Sequence, residues 1–539
     1  MTAKQKNFVK GAAILGIAGL ICKVIGAVFR IPLSNAIGTQ GMANYQAAYP
    51  LYAFLLVISS AGLPTAISKM VSERVTKGDY RGAHFTFQVA YKVLLIVGVI
   101  TSVLLFAASP LVSKLIGLDS SMYSFMAIAP ALFFVSILSA YRGYFQGLQM
   151  MTPTALTQIV EQVGKLAVGL SLASLMGQRG PQYGAAGALI GVTVSEVLAL
   201  IVVIIMYNKN KSTILRNISR APKMGLKRDF KSTAKKLFVI AIPITIGACI
   251  MPLVSAIDSA VVMNSLQSSG FAEQEAASMF GVLTGNVNPL INMPAVLSLA
   301  LAMSLVPAIA ESKAAKNARQ IKQRSSFGLK LALMVGLPAS MGFFILAGPI
   351  LQLLYTALTP TEMELATHLL EVLSIAVIFL TLLQTMTGIL QGMGKPMVPV
   401  INLLIGAVVK VVVSIVMIRM PEVNIMGAAY GTLACYGIAA ILDLICMLRY
   451  TKCPIKLLDN IIKPILATAI MTVVVHFVYQ FAYGAIESNT ISTLVAIVAG
   501  VIVYAICILL LRTIKREDAA LLPGGRRLEP LMLKLHIWK

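Results

Sequence analysis

The sequence predicts an all-α integral membrane protein of fourteen transmembrane helices, arranged as two pseudo-symmetric six-helix lobes plus two C-terminal helices. Three observations carry that prediction. Of 539 residues, 58% are apolar and 12% are charged, about half the charged share of an ordinary soluble domain. Apolar windows long enough to cross a bilayer core as helices recur between polar breaks along the whole chain. The chain also matches itself at a shift of roughly one six-helix unit. The ten-residue alternation of a transmembrane β-barrel is absent.

The windows fall near 8–33, 45–68, 86–112, 121–141, 154–177, 184–207, 237–262, 278–310, 327–356, 365–390, 397–418, 424–448, 461–483 and 490–511. Lys4 and Lys6 precede the first, and Lys10 lies at its start. It is too long for a signal-peptide core and lacks a small-residue cleavage site, so it reads as a span. Connections from odd to even spans hold only Lys114, Arg179 and Arg419 of the 44 lysines and arginines. That asymmetry places both termini of a multi-pass protein in the cytoplasm. The net charge of +24 is then mostly topology. Asn208 to Lys236 holds ten Lys and Arg against one Asp, a long cytoplasmic linker that attracts anionic phospholipids. With one aromatic, Phe230, and no binding motif, it predicts no nucleic-acid partner. The six cysteines have no metal-ligand spacing and read as small apolar residues.

The internal match organises the spans. "RGYFQGLQMMTPTALTQIVEQVGKL" from Arg142 resembles "TGILQGMGKPMVPVINLLIGAVVKV" from Thr387. At a shift of 245, Gly143, Gln146, Gly147 and Lys165 fall on Gly388, Gln391, Gly392 and Lys410. "LPTAISK" at Leu63 echoes "VPAIAESK" at Val306, and "GALIG" at Gly187 echoes "GAAYG" at Gly427. The repeat is six spans, so its halves share one orientation, as in parallel-repeat transporters. The division is an N-lobe over 1–207, a basic linker over 208–236, a C-lobe over 237–449, spans 13 and 14 over 450–512 and a cytoplasmic tail over 513–539.

Polar groups inside the spans are the candidate site. Lys23 and Arg30 lie seven residues apart in span one, on nearly one helix face. A mid-bilayer charge costs about 2.5–3.5 kcal/mol on insertion scales, so a positive stripe there is aimed at something. Gln158, Glu161, Gln162 and Lys165 share a face of span five. Glu161 and Lys165 are spaced to pair within the helix, or to face a cavity. Lys410 has Gly406 four residues before it instead of an acid. Asp258 matches Arg30 in depth near the outer end of its span and is a candidate partner for it. In "GVLTGNVNPLINMP", Asn286, Asn288 and Asn292 with Pro289 and Pro294 describe a polar, interrupted span eight. Glu196 and Gln384 read as structural. Asp443, Lys92 and Lys330 lie near cytoplasmic ends and are placed to snorkel. No nucleotide loop, zinc-protease motif or nucleophile elbow is present, so no enzyme is predicted.

"KVIGAVFRI", "YPLYAFLLVISSAGLPTAISKMVSE", "YRGYFQG", "LVPAIAESK" and "GILQGMGKP" resemble the multidrug/oligosaccharidyl-lipid/polysaccharide (MOP) exporter superfamily. The likeness is to the branch of stage V sporulation protein B and MurJ-type lipid II flippases. The resemblance implies two MATE- or MurJ-like lobes around a cavity, with spans 13 and 14 forming a groove for a polyprenyl tail. It implies an undecaprenyl-linked saccharide as substrate. Lys23 and Arg30 then fall on basic positions implicated in holding the pyrophosphate, a role suited to cations. Leu55 and Leu56 stand where Gram-negative lipid II flippases carry arginines.

The expectation is a flippase that moves an undecaprenyl-pyrophosphate-linked cell-wall precursor outward by alternating access, for peptidoglycan or spore-cortex synthesis. Lys23, Arg30, Lys165 and Lys410 would hold the pyrophosphate. Gln158, Glu161, Asp258, Asn286, Asn288 and Asn292 would supply the polar cavity. No cofactor or bound metal is expected, and a coupling cation, Na+ or H+, with the membrane potential would reset the protein. Cell-wall synthases are the expected protein partners. The alternatives are a cation-coupled drug or metabolite antiporter of the same superfamily, and a membrane scaffold that transports nothing.

Overall fold

The computed structural model describes residues 3–60, 62–221, 229–420, 422–454 and 457–513, and these are helical apart from turns. Thirteen helical stretches among them are long and apolar enough to cross a membrane. The first, Ile14–Thr76, has 63 residues, which is about 95 Å of helix at 1.5 Å per residue and far more than one crossing needs. It runs from within α1 (Ala3–Ser60) to the end of α2 (Gly62–Thr76). Gly38 breaks α1 with φ +67 and ψ −176, a conformation only glycine adopts at little cost. Counting the two sides of that break as separate crossings recovers the fourteen spans predicted from sequence.

The remaining helices follow in order. They are α3 (Tyr80–Ile116), α4 (Met122–Gly147), α5 (Thr152–Gly164), α6 (Leu170–Gly177), α7 (Pro181–Arg220), α8 (Phe230–Ser268) and α9 (Glu273–Gly281). Then come α10 (Asn288–Ala314), α11 (Ala318–Ile345), α12 (Ala347–Leu354), α13 (Pro360–Gly392), α14 (Met397–Ile418), α15 (Met426–Thr451), α16 (Lys463–Ile486) and α17 (Asn489–Leu510). π-helical turns at Lys165–Gly169 and Val282–Val287 join α5 to α6 and α9 to α10. The basic segment is more helical than a linker. Helix α7 runs on to Arg220, α8 starts at Phe230, and Arg81 Nε donates to the Ile218 carbonyl at 3.0 Å. Residues 222–228 and the tail beyond Thr513 lie outside the described residues.

The chain divides into two compact units, Met1–Gly285 and Asn286–Lys539. In the first, α8 and α9 pack with α1, and α8 also packs on α2 and α3. In the second, α10, α11 and α15 surround α13, while α16 and α17 pair and lean on α11 and α12. Lipid-facing character is plain on α16 and α17, where Phe481 and Leu510 are 82% and 75% exposed.

The sequence repeat is a packing repeat. A Cβ on Gly143 of α4 would lie 2.9 Å from the Pro64 carbonyl oxygen and from Ile67 Cβ on α2. A Cβ on Gly388 of α13 would lie 2.8 Å from the Ala302 carbonyl oxygen on α10. Gly147 meets Val71 and Gly392 meets Val306 and Ile309 in the same way. Each glycine pair thus lets a helix backbone approach the proline-containing segment matched to it in the repeat, the close approach that small residues permit between membrane helices.

Two residues expected to reach solvent do not. Asp443 is fully buried and accepts from Asn402 Nδ2 at 2.7 Å. Lys330 is 4% exposed and donates to the Thr513 carbonyl at 2.9 Å, just past the end of α17. Each is held by a backbone or side-chain partner from a neighbouring helix, which the position of a residue along its own span does not reveal.

Candidate functional site

In the first unit, Arg30, Glu161 and Lys165 come together. Helix α1 carries Phe29, Arg30, Tyr45 and Tyr49; α4 carries Arg142; α5 carries Gln158 and Glu161; Lys165 opens the π turn. A π turn inserts an extra residue into the helix and recurs at functional sites. Here it follows the polar face directly. Gly26 of α1 faces α5, since a Cβ there would lie 3.5 Å from Gln162 Oε1.

The charges sort themselves differently from the i, i+4 spacing. Glu161 Oε1 accepts from Arg142 Nη2 at 2.7 Å, while Arg142 Nε donates to Thr157 Oγ1 at 2.9 Å. Thr157 also donates to the Pro153 carbonyl at 2.9 Å, which fixes its rotamer. Both ionic side chains are 13% exposed. Glu196 of α7, 7% exposed, lies beside Glu161.

Lys165 turns to aromatic rings instead. Its Nζ stands 4.9 Å from the ring centroid of Phe29, 5.8 Å from Tyr45 and 4.8 Å from Tyr49. Tyr45 and Tyr49 are stacked at 5.6 Å, and Phe29 tilts against Tyr45 at 6.5 Å. Arg30 is within electrostatic range of both Lys165 and Tyr45. A ring face attracts an ammonium by about 0.5–1 kcal/mol when exposed and 2 or more when desolvated. It leaves the charge intact and free to meet an anion, which a carboxylate would not. The site is therefore two cations, Arg30 and Lys165, beside an aromatic wall.

The other candidates are distributed. Lys23 is exposed on α1, and Asp258 is partly buried on α8. In the second unit, Lys410 is partly buried on α14, where a Cβ on Gly431 of α15 would meet its carbonyl oxygen at 3.0 Å. Span eight is interrupted as the asparagines and prolines predict, by the π turn. Asn286 is buried and its carbonyl accepts from Tyr355 Oη at 3.0 Å. Asn288 is partly buried, and Asn292 is exposed and donates from Nδ2 to the Asn288 carbonyl at 2.7 Å.

Sequence reading missed Arg142 as the partner of Glu161, and it missed the rings. A signal for the rings was present: Tyr45, Tyr49 and Tyr52 recur at helical spacing on α1.

Comparison with known proteins places the chain. Residues 8–313 match the model of the polysaccharide biosynthesis protein family, and residues 243–416 match the MatE model. The chain is 27% identical over 531 residues to stage V sporulation protein B of Bacillus subtilis (strain 168), covering 97% of this chain and 98% of the relative. It is 28% identical over 541 residues to the lipid II flippase MurJ of the same organism, covering 96% and 98%. Among solved structures, the lipid II flippase MurJ in its inward closed conformation superposes with a TM-score of 0.65. That match has 15% identity and covers 92% of this chain and 98% of the other. With more than half its length matched by one family model, the chain belongs to the polysaccharide biosynthesis protein family, and so to the MOP exporter superfamily.

Proposed function

We propose that this protein is a flippase for an undecaprenyl-pyrophosphate-linked cell-wall precursor, lipid II or a related saccharide, working by alternating access. The observation that carries the reading is Lys165, held over aromatic rings beside Arg30. A pyrophosphate is a multiply charged anion, and it attracts cations whose charge is not already cancelled by a carboxylate. Full-length likeness to a protein named for flipping lipid II supports the substrate class.

In this reading Arg30 grips the pyrophosphate, with Lys23, Lys165 and Lys410 adding charge. Gln158, Glu161, Asp258, Asn286, Asn288 and Asn292 supply hydrogen bonds along the sugar's path, and the polyprenyl tail stays in lipid along α16 and α17. The membrane potential, worth about 2.3 kcal/mol per charge per 100 mV, drives the return with Na+ or H+ as counter-cation. The product feeds peptidoglycan or spore-cortex synthesis, with cell-wall synthases as neighbours and anionic phospholipids against the basic segment.

Binding tests this before transport does. Purified protein should bind undecaprenyl pyrophosphate in native mass spectrometry, and Arg30→Ala with Lys165→Met should weaken it by about 100-fold, two charge-assisted contacts at ~1.5 kcal/mol each. Saturable binding of cationic dyes with no binding of undecaprenyl pyrophosphate would replace the flippase with the antiporter.

A further inference from the structure

Helix α7 runs for 40 residues, about twice the length a crossing needs. Its predicted span ends at Tyr207. That tyrosine belongs to a ring cluster, with centroids 5.8 Å from Phe87 and 5.4 Å from Tyr141. Tyrosines gather at the membrane–water interface, so Tyr207 marks headgroup depth. The helix then continues from Asn208 to Arg220, which adds about 20 Å at 1.5 Å per residue. The headgroup layer is only about 5–8 Å thick on each side. Arg216 and Arg220 therefore stand beyond it.

Packing holds this extension in place. Ile214 is 8% exposed and joins Ile218 in an apolar cluster with Val71 of α2, Ala83 of α3 and Leu237 of α8. Arg81 Nε of α3 grips the Ile218 carbonyl at 3.0 Å. The opposite side of α7 is charged, with Lys209, Lys211, Arg216 and Arg220 all exposed. Helix α8 adds a second row. Thr233 and Leu237 are buried, while Lys231, Lys235 and Lys236 are exposed. Lys231 precedes the predicted span start at Leu237 by about 9 Å.

The acids nearby are engaged elsewhere. Asp229 caps α8, accepting from the Ser232 N–H at 2.8 Å. Asp79 caps α3, accepting from the Gly82 N–H at 2.7 Å, and faces Arg74 at 3.7 Å. Among the described residues, no carboxylate pairs with any of the seven cations on α7 and α8.

We propose that the cytoplasmic ends of α7 and α8 form a docking surface for an acidic segment of a cytoplasmic protein, carried by Arg216, Arg220 and Lys231. Charge and distance decide the partner. A charged bilayer surface is felt within a Debye length, about 8 Å at physiological salt. Lys209 and Lys211 lie within that range of anionic headgroups, and Arg220 lies outside it. With Phe230 as its one aromatic, the segment has no platform for stacking nucleic-acid bases. A guanidinium matches a carboxylate bidentately. Cations fixed on packed helices also lose less freedom on binding than those of a loose loop.

The first test uses a fluorescein-labelled deca-glutamate peptide as probe, titrated by anisotropy against the full-length protein in neutral phosphatidylcholine nanodiscs at physiological salt. The parent should bind it saturably, and Arg216→Gln/Arg220→Gln/Lys231→Gln should weaken binding about tenfold, three exposed ion pairs acting together. Lys316→Gln/Arg319→Gln/Lys452→Gln removes as many exposed cations from the cytoplasmic side of the second unit. It should change binding less than about twofold, since those cations lie off the surface. Equal losses in the two triple variants would mean diffuse attraction to a basic protein and would overturn the proposal, as would no binding by the parent. The second test separates a protein partner from the membrane. Ser219→Cys, in the protein with its native cysteines replaced, carries a spin label relaxed by a water-soluble nickel complex. The label should be water-exposed in neutral and in phosphatidylglycerol-rich bilayers alike. Withdrawal to headgroup depth in the anionic bilayer would make the membrane the occupant and overturn the proposal. Neither readout depends on what the protein carries.

Discussion

Lys165 Nζ lies 4.8 Å from the ring centroid of Tyr49, although Glu161, one helical turn before it, is the nearer partner in sequence. Arg142 has taken that carboxylate. The result is a lysine whose Nζ faces aromatic rings instead of a carboxylate, at the point where α5 widens into a π turn.

The ring contacts predict a split between the tyrosines' faces and their hydroxyls. Tyr49→Leu should weaken undecaprenyl pyrophosphate binding about fivefold, because the lysine loses ~1 kcal/mol of orientation. Tyr49→Phe should stay within twofold of the parent. Titration of the lipid against each detergent-purified variant checks this. Equal losses in both would assign the effect to the hydroxyl instead.

Arg142 and Glu161 predict a strongly non-additive cycle. Arg142→Met alone leaves a buried carboxylate uncompensated and should cost about 3–5 kcal/mol of stability. Arg142→Met with Glu161→Met should recover most of that. Thermal unfolding of the four proteins in one detergent measures the coupling, and additive losses would show that the two charges stand independently.

The matched glycines predict matched phenotypes. Gly143→Ala and Gly388→Ala each push a methyl to within 2.9 Å of a neighbouring backbone carbonyl region, which should cost about 1–3 kcal/mol by overpacking. Leucine at either position should abolish folded protein, read as loss of a monodisperse peak on size exclusion. Tolerance at one site only would break the equivalence of the two halves.

Much of the architecture is legible in the residues because it follows from one-dimensional patterns. Apolar length fixes the spans, and span 11 is predicted at 397–418, the bounds of α14. The glycines of "RGYFQG" and their matches at 388 and 392 disclose a packing repeat because close helix approach needs them wherever they occur. Pairing across helices is another matter. Arg142 reaches Glu161 only because the turn after α4 folds α5 back along it, and a helical-wheel rule favours Lys165. The same holds for Asp443 with Asn402 and Lys330 with Thr513, where depth along a span predicts exposure but the neighbouring helix decides it. The break at Gly38 falls in the connection predicted between spans one and two, but its tight form is not written in that pattern. Glycine signals permission for φ +67, and tertiary packing decides whether that permission is used.

The central claim is that Arg30 and the ring-held Lys165 carry a pyrophosphate-linked saccharide across the membrane. Its most direct test is transfer itself: purified protein in proteoliposomes containing fluorescent lipid II, with leaflet position scored by an external quencher. The account predicts protein-dependent transfer that is lost in Arg30→Ala and strongly reduced in Lys165→Met, with both variants folded. Undiminished transfer in the double variant, or no transfer of any undecaprenyl-linked saccharide by the parent protein, would contradict it.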